Sequence, residues 1–412
     1  MLTFKKFLIS EETNAHMAHL EDNIILGGVK GAREVIFALK AMRDMLSGSA
    51  TNENKITTKW DGAPAVFAGI DPSDGQFFVA KKGIFRKDPE VYKSVEDIKE
   101  KVKGGDLQNK LIVAYTELKK LNIKGVIQGD IMFTGDDVKK EVINKQEFIT
   151  FHPNTILYAV PSKSKLAKRI LKANIGVVWH TVYTGDTLET MRATYGFDAS
   201  KLAKSESSWN ISADVEDLSG TVSMTASETA DVDKSISAAG KLFQKISGSF
   251  LRKLEKNEDM QIQLMTYVNT FIRKGTMPSA AALATGAKQF MLDKLDVKIA
   301  KLKTDRTKAA WIAKKDVIED FFGKEQSQVA AMFDMYIHVF NSKNLIINKL
   351  NNLNLLDTFV KTKNGFKVTG QEGFVIVDKL ADKAFKIVDR LEFSTNNFSP
   401  DIVKGWDSPS RG

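Results

Sequence analysis

The chain has 412 residues, of which 43% are apolar and 27% charged, and a formal net charge of +9. This length allows two or three domains, and the composition excludes a disordered, fibrous or membrane-embedded chain. Because the sequence contains no cysteine, disulfides, thiolate metal sites and a cysteine nucleophile are excluded. We recognise neither a signal peptide nor an apolar run of the ~20 residues that a membrane span needs. We therefore expect a cytoplasmic protein without a membrane partner.

Residues 1–54 are predicted to form an N-terminal helical segment. Apolar residues between Val29 and Met42 recur at the spacing of one helix face. The polar stretch GSATNEN, residues 48–54, then predicts a loop that ends this segment.

Residues 55–204 are predicted to form the first part of an α+β core. The runs KITTKWDGAPAVFAGI and GQFFVAKKGIF have the β-branched and aromatic composition of strands, and the turn signal DPSDG between them predicts a hairpin. Helical segments separate the later strand candidates, which are KGVIQGDIMFTG, FITFHPNTILYAV and GVVWHTVYTG. This pattern predicts a mainly antiparallel sheet.

The remaining sequence divides into a linker, a helical region and a second strand region. Residues 205–235 are rich in Ser, Thr, Ala and acids, which predicts a linker. Helical periodicity over residues 236–360 predicts an inserted all-α domain. Residues 361–412 return to strand composition in GFKVTGQEGFVIVD and KAFKIVDRLEF, with a turn near 379–383. Because two late strands cannot bury a face of their own, we expect them to complete the earlier sheet.

Charged residues and glycines collect at the edges of the predicted strands. They are Lys59-Trp60-Asp61-Gly62, Lys81-Lys82-Gly83, Gly129-Asp130, Glu372-Gly373 and Lys386. Because strand side chains alternate between two faces, facing strands can direct several of these charges into one cleft. Lysines that neutralise phosphates and acids that position a metal ion suit a nucleoside triphosphate with magnesium.

The order of these motifs resembles the covalent nucleotidyltransferases, the superfamily that contains ATP-dependent DNA and RNA ligases and mRNA capping enzymes. TKWDGAPAVF is similar to the motif whose lysine attacks the α-phosphate of ATP, which implies that Lys59 is the adenylated nucleophile. The later motifs of the superfamily are similar, in order, to FVAKKGIF, GVIQGDIMF, VVWHTVY, QEGFVIVD and KAFKIVDR. The resemblance implies a mainly antiparallel-sheet nucleotidyltransferase core, of the ATP-grasp-like ligase type, that a large all-α insertion interrupts.

The resemblance also implies a role for each site residue. The substrate ATP would be held by Asp61, Gly62, Lys81 or Lys82, Trp179 and Lys386, with Trp179 stacking on the base. A tryptophan packed in the core is the alternative for Trp179. Asp130 and Glu372 would bind Mg²⁺ or Mn²⁺.

Three positions depart from the family pattern. Asp130 stands where Glu is usual, His180 where Asp is usual, and Val388 where a second lysine is common. The 26 residues after Lys386 are too few for the OB domain that follows this motif in DNA ligases, which favours RNA over DNA as the polynucleotide.

A lysine must be neutral to act as a nucleophile, and its unperturbed pKa is ~10.4. Burial of Lys59, together with the cations Lys81, Lys82 and Lys386, is expected to favour the neutral amine.

The basic stretch 294–315 predicts a second binding surface. If it forms one helix, a cationic stripe lies beside an apolar face, and a nucleic-acid backbone is its matching partner. This interpretation selects Lys298, Lys301, Lys303, Arg306 and Lys308. A solvated amphipathic helix is the alternative.

These inferences lead to an ATP-dependent polynucleotide ligase-like enzyme that passes AMP from Lys59 to a 5′-phosphate end and joins it to a 3′-hydroxyl. AMP transfer to a protein is one alternative, and a catalytically degenerate core with a nucleic-acid-binding or structural role is another. The choice between ATP and GTP and the oligomeric state stay open. GAPAVF and FKIVDRLEF also resemble a protein family of tailed bacteriophages, in which case the compartment would be the host cytoplasm.

Overall fold

The computed structural model of the chain describes residues 18–48, 55–213, 223–352, 356–378 and 383–405. Three sequence predictions lie outside these residues: the loop at 49–54, the middle of the linker at 214–222, and the turn at 379–382.

The helices of the described residues comprise an N-terminal pair, three between strands, five in succession and one near the C-terminus. They are α1 (Asn23–Leu26), α2 (Gly28–Leu46), α3 (Val95–Lys101), α4 (Asp106–Leu118), α5 (Lys165–Lys172), α6 (Ala226–Lys245), α7 (Gly248–Glu255), α8 (Glu258–Arg273), α9 (Ala280–Ala300), α10 (Asp305–Leu350) and α11 (Arg390–Phe398).

The strands lie on both sides of the long helical region. They are β1 (Lys55–Lys59), β2 (Ala65–Ile70), β3 (Phe77–Ala80), β4 (Val91–Tyr92), β5 (Val126–Thr134), β6 (Lys139–Ile143), β7 (Gln146–Phe151), β8 (Ile156–Pro161), β9 (Ile175–Thr184), β10 (Arg192–Tyr195), β11 (Ser208–Ser212), β12 (Asp357–Thr362), β13 (Gly365–Val368), β14 (Gly373–Asp378), β15 (Lys383–Ile387) and β16 (Ile402–Val403).

These strands form three sheets. The small sheet has the order β1-β14-β15, the central sheet β10-β9-β5-β2-β3-β4 with β11 beside β9, and the outer sheet β13-β12-β8-β7-β6 with β16 beside β12. Of these strand pairs, β9–β11 is parallel and the others are antiparallel. The prediction of an α+β fold with mainly antiparallel sheets is therefore confirmed.

The C-terminal strands return to sheets that begin early in the chain. β14 pairs with β1, and β12 pairs with β8. The late strands therefore pair with early strands as expected, but β14 and β15 form a separate three-stranded sheet with β1 instead of completing one earlier sheet. In the chain, the run of helices α6–α10 lies between these early and late strands.

The inserted helices share a hydrophobic core with the small sheet. Phe374 and Ile376 of β14 and Phe385 of β15 belong to the same buried cluster as Leu264 of α8 and Phe333 of α10. The small sheet therefore has one face closed by the helices. Its strand ends carry the predicted site residues.

The central sheet is covered by helices on one face. Val66, Ile127 and Trp179 point to this face and pack with Ile98 of α3 and Leu111 of α4. Because side chains alternate along a strand, their neighbours in sequence point to the opposite face. That opposite face carries Asp130, whose charge acts on Lys59 of the small sheet.

The predicted linker at 205–235 has regular structure at both ends. Residues 208–212 form β11, which pairs with β9. Helix α6 starts at Ala226, where Thr225 and Glu228 make a capping box. The Ser- and Thr-rich composition that predicted a linker thus includes a helix start signal. The helical region also ends earlier than predicted, since β12 begins at Asp357.

Two further segments differ from their predicted form. KAFKIVDRLEF is a strand followed by α11, because the Asp389 carboxylate accepts hydrogen bonds from the N–H groups of Leu391 and Glu392 and caps the helix. The basic stretch 294–315 is two helices with a turn between them, and Thr304 caps the second through the N–H of Thr307. Every helix of the described residues is too short or too polar to span a bilayer.

Candidate active site

The small sheet brings together three site residues that lie far apart in sequence. Lys59 at the end of β1 is the register partner of Gly373, the residue after Glu372. Lys386 on β15 is opposite Val375 of β14. One sheet therefore carries the predicted nucleophile, the predicted metal-binding glutamate and the last predicted lysine.

Lys59 forms an ion pair with Glu372, and the two side chains are 27% and 11% exposed. Burial lowers the pKa of Lys59, but the carboxylates of Glu372, Asp61 and Asp130 outweigh burial and hold the pKa above its ordinary value. The prediction of a neutral Lys59, which rested on the neighbouring lysines, is therefore wrong, because the ion pair with Glu372 stabilises the charged form. In this state Lys59 is a protonated ammonium group.

Two carboxyl groups beside Lys59 have strongly shifted pKa values. Burial raises the pKa of Glu372 to about 7, against the opposing charge of Lys59. Burial likewise raises the pKa of Asp130 to about 7, against the charges of Lys59 and Lys82. Such shifts are frequent at functional sites, where charged groups are held out of water in a cleft.

The loop after β1 lies directly against β5. A Cβ atom at Gly62 would lie 2.5 Å from Cβ of Asp130 and 2.9 Å from Sδ of Met132. The Ala63 N–H also donates to the Ile131 carbonyl at 3.0 Å. Only glycine allows this approach, so Gly62 sets the separation between the loop after β1 and Asp130.

Asp61 is a buried anchor for a neighbouring loop. Its carboxylate accepts hydrogen bonds from the Asn154 side chain and from the N–H groups of Thr155 and Ile156, at 2.7–2.8 Å. Its own N–H donates to the Tyr158 hydroxyl at 2.7 Å. Both oxygens are thus engaged by the protein, and this geometry fixes the residues that follow Lys59.

The two candidate lysines after β3 have different surroundings. Lys81 pairs with Glu90 at 3.3 Å and lies 5.8 Å from the ring centre of Tyr92. Lys82 is exposed, and its charge acts on Asp130 and on Lys386. Of the two, Lys82 is the one that belongs to the site.

Lys386 is half-buried on β15, which is an edge strand of the small sheet. Burial lowers its pKa, the charges of Lys59 and Lys82 lower it further, and Glu372 opposes them. Its backbone N–H donates to the Ala18 carbonyl at 3.3 Å, and His19 forms a β-bridge with it. The N-terminal segment therefore holds the strand that carries this lysine.

Trp179 is not part of the site. It is 0% exposed, packs in the core beneath α3 and α4, and donates its Nε1–H to the Asn210 side chain at 2.9 Å. The adjacent His180 points to the site face instead, with Nε2 3.6 Å from Oδ2 of Asp130. Burial and the charge of Lys59 lower the pKa of His180 to about 4, so its ring is neutral near pH 7.

Asp130 and Glu372 are the two carboxylates near Lys59 that a metal ion can use, since Asp61 is fully engaged. Within the described residues, no group of three or more His, Asp or Glu side chains is arranged to hold a metal ion. Two carboxylates fit a Mg²⁺ ion whose other ligands are water molecules and substrate phosphates. It does not fit a metal held by protein ligands alone.

The basic residues selected in the helical region lie elsewhere. Lys298, Lys301, Lys303, Arg306 and Lys308 surround the turn between α9 and α10. They form a separate surface from the cleft around Lys59.

The structure also reveals a buried charge cluster that the sequence analysis missed, made of Glu21, Asp22, Tyr336, Lys343 and Arg390. Lys343 pairs with Glu21 at 2.7 Å, and Arg390 pairs with Asp22 at 2.7 Å. The cluster lies where the N-terminal segment and α10 meet the chain just after β15. In the sequence, a charged residue within an apolar helical pattern indicates a buried charge. The pattern does not indicate which oppositely charged residue pairs with it.

Comparison with protein families places the chain in a family that is described as "Family of unknown function (DUF6267)", which matches residues 14–401. The match covers nearly the whole chain, so the protein belongs to this family. No curated protein and no solved structure matches the chain.

Proposed function

We propose that the protein is a nucleotidyltransferase that forms a covalent lysyl-nucleotide at Lys59. The observation that carries this proposal is the convergence of Lys59, Glu372 and Lys386 on one small sheet, opposite Asp130 and Lys82. These are the motif residues that the resemblance to ligases and capping enzymes selects. Lys59 precedes Glu372 and Lys386 by more than 300 residues in sequence, so their convergence supports a shared role in one site.

The reaction requires Lys59 to leave its ion pair with Glu372 and to lose one proton to water. The neutral Nζ then attacks the α-phosphorus of the nucleoside triphosphate, a P–N bond forms, the P–O bond to the β-phosphate breaks, and Nζ releases a second proton to water. Pyrophosphate is the leaving group. Lys82 and Lys386 would bind the negatively charged phosphates and stabilise the charge that moves onto the leaving group.

Magnesium would be held by Asp130 and Glu372 together with the substrate phosphates, and it would supply charge neutralisation there. ATP is the proposed nucleotide. A polynucleotide 5′-phosphate end is the proposed acceptor of AMP, with RNA favoured over DNA.

The test is transfer of label from α-³²P-ATP, and from α-³²P-GTP in parallel, to the protein in the presence of magnesium. The wild type is expected to give an adduct that is labile to acid and stable to base, as a phosphoramidate is. Lys59→Ala and Lys59→Arg are expected to give none. The arginine variant is the matched control, because it keeps a cation beside Glu372 but is not nucleophilic.

Folded wild-type protein that gives no adduct with either nucleotide would contradict the proposal. It would favour the alternative of a degenerate core with a binding or structural role. An adduct that passes to a protein but not to a 5′-phosphate end would keep the enzyme and change the acceptor.

A further inference from the structure

The two longest helices of the insertion end in a basic hairpin, which we call the helical tip and define as residues 294–315. It comprises the end of α9, a turn, and the beginning of α10. No residue from 301 to 317 is buried, and burial on α10 begins at Ile318. The helical tip therefore projects from the helical core.

The helical tip has a large excess of positive charge. Eight of its residues are Lys or Arg and two are Asp. Lys315 pairs with Asp296 at 2.6 Å, and Lys314 approaches Asp259 at 3.9 Å. Within the part of the chain that the structure describes, no carboxylate pairs with the remaining cations around the turn, which are Lys298, Lys301, Lys303, Arg306 and Lys308.

Trp311 contacts two lysines of the helical tip. The Lys298 ammonium group from α9 lies 3.9 Å from the centre of the Trp311 ring, and that of Lys314 lies 4.6 Å from it. Cation–π contacts of this kind hold lysine side chains in place while leaving their charge available. Cations that are already ordered lose less conformational entropy when a partner binds.

We propose that the helical tip binds the phosphate backbone of nucleic acid without sequence preference. Unpaired cations on two helices and the turn between them match a polymer that carries closely spaced phosphates, and release of its counterions favours association. Two packed helices, with axes about 8–10 Å apart, are too broad to enter a groove that admits one helix. The tip also contains no Asn or Gln, the side chains that read adenine edges.

The helical tip is remote from the cleft around Lys59. Residues 306 to 343 of α10 span about 55 Å at the rise of an α-helix, and Lys343 belongs to the buried charge cluster beside β15. The helical tip is thus a separate binding surface that contacts nucleic acid far from the reacting end. The inference stands whether or not Lys59 forms an adduct.

Binding to a fluorescently labelled single-stranded DNA of mixed sequence and about 40 nucleotides, long enough for several phosphate contacts, tests this proposal. The tip variant combines Lys298→Gln, Lys301→Gln, Lys303→Gln and Arg306→Gln. The matched control combines Lys165→Gln, Lys168→Gln, Arg169→Gln and Lys172→Gln, which removes the same charge from the exposed side of α5. Thermal melting of both variants verifies that they fold.

At moderate salt, the tip variant is expected to bind the DNA at least about tenfold more weakly than the wild type. The slope of log binding constant against log salt concentration should become less steep by about 3, because four phosphate contacts are lost. The control should change much less. Equal losses in both variants, or no binding by the wild type, would overturn the proposal. So would tighter binding to phosphatidylserine vesicles that the tip variant abolishes, since the surface would then be a membrane contact. Nucleotide is absent from these measurements, so their outcome is independent of adduct formation at Lys59.

Discussion

Gly62 is the residue at which the site depends most directly on the lack of a side chain. Its position fixes how closely the loop after Lys59 approaches Asp130. A Cβ atom there would lie 2.5 Å from Cβ of Asp130 and 2.9 Å from Sδ of Met132, closer than the non-bonded contacts that Cβ atoms make in proteins. Gly62 is a nucleotide-binding residue by the sequence prediction, and the structure shows that close packing against β5 also requires glycine at this position.

Gly62→Ala is therefore expected to destabilise the protein by about 1–3 kcal/mol, the usual cost of adding volume to a packed region. The matched control is Gly240→Ala in α6, where a Cβ atom would meet nothing within 4 Å. That change should stabilise the helix by about 0.5–1 kcal/mol. Urea unfolding of the two variants measures both effects. If the two variants have the same free energy of unfolding, β5 can move away from the side chain at position 62.

His180 illustrates why the sequence could not identify the ring that lines the site. Residues alternate along a strand, so either Trp179 or its neighbour had to point to the site. The pairing of β9 with β5 skips one residue, since Gln128 is opposite Thr181 and Gly129 is opposite Trp179. His180 is the residue at this irregularity, and no local sequence pattern marks a bulge of this kind.

At the scale of elements, the strands that carry the motifs were predictable and their exact partners were not. β1 and β14 have clear strand composition. The need to bury two late strands predicted that β14 would pair with an early strand, but not that this strand would be β1. The start of α11 at Arg390 was missed, because Asp389 acts as a helix cap inside a segment with strand-like composition. The turn within the basic stretch was missed for a similar reason at Thr304.

The contact between β1 and β14 sets the protonation state of Lys59. Because Glu372 is the largest influence that raises the pKa of Lys59, and burial lowers it, Glu372→Gln should lower that pKa. Each unit of decrease gives about ten times more neutral amine at pH 8. We expect an amine-reactive acylating reagent to modify Lys59 several-fold faster in this variant than in the wild type. Peptide mapping measures the rate of modification.

Glu90→Gln is the control for this measurement, because it removes the carboxylate that pairs with Lys81 and leaves the partner of Lys59 in place. Lys59 should then react as it does in the wild type. If Glu372→Gln leaves the rate unchanged or lowers it, the ion pair does not govern the reactivity of Lys59.

Across the whole molecule, the buried charge cluster connects segments that are distant in sequence. Glu21 and Asp22 come from the N-terminal segment, Tyr336 and Lys343 from α10, and Arg390 from the start of α11. The Tyr336 hydroxyl donates to Asp22 and accepts from Arg390. Because β15 lies only a few residues before Arg390, the cluster ties the inserted helices to the strand that carries Lys386.

Lys343→Met is expected to destabilise the protein by about 3–5 kcal/mol, because it breaks a fully buried pair and leaves Arg390, among the described residues, as the one cation beside both Glu21 and Asp22. Both partners are 0% exposed, so water cannot replace the lost ammonium group. The double variant Glu21→Gln/Lys343→Met removes both charges of the pair and should recover a substantial part of that loss. Urea unfolding provides the free energies of unfolding for this comparison.

Lys349→Met is the matched control for this substitution, since it makes the same change on the same helix at a more exposed pair. Lys349 contacts Glu228 at 2.9 Å near the surface, where an ion pair contributes about 1 kcal/mol or less. If Lys343→Met costs no more than Lys349→Met, the cluster does not constrain the fold. A large difference between them, with recovery in the double variant, would mean that the N-terminal segment, the helical insertion and the end of the small sheet are held together by charge. The position of Lys386 would then depend on residues that lie far outside the motifs of the candidate site.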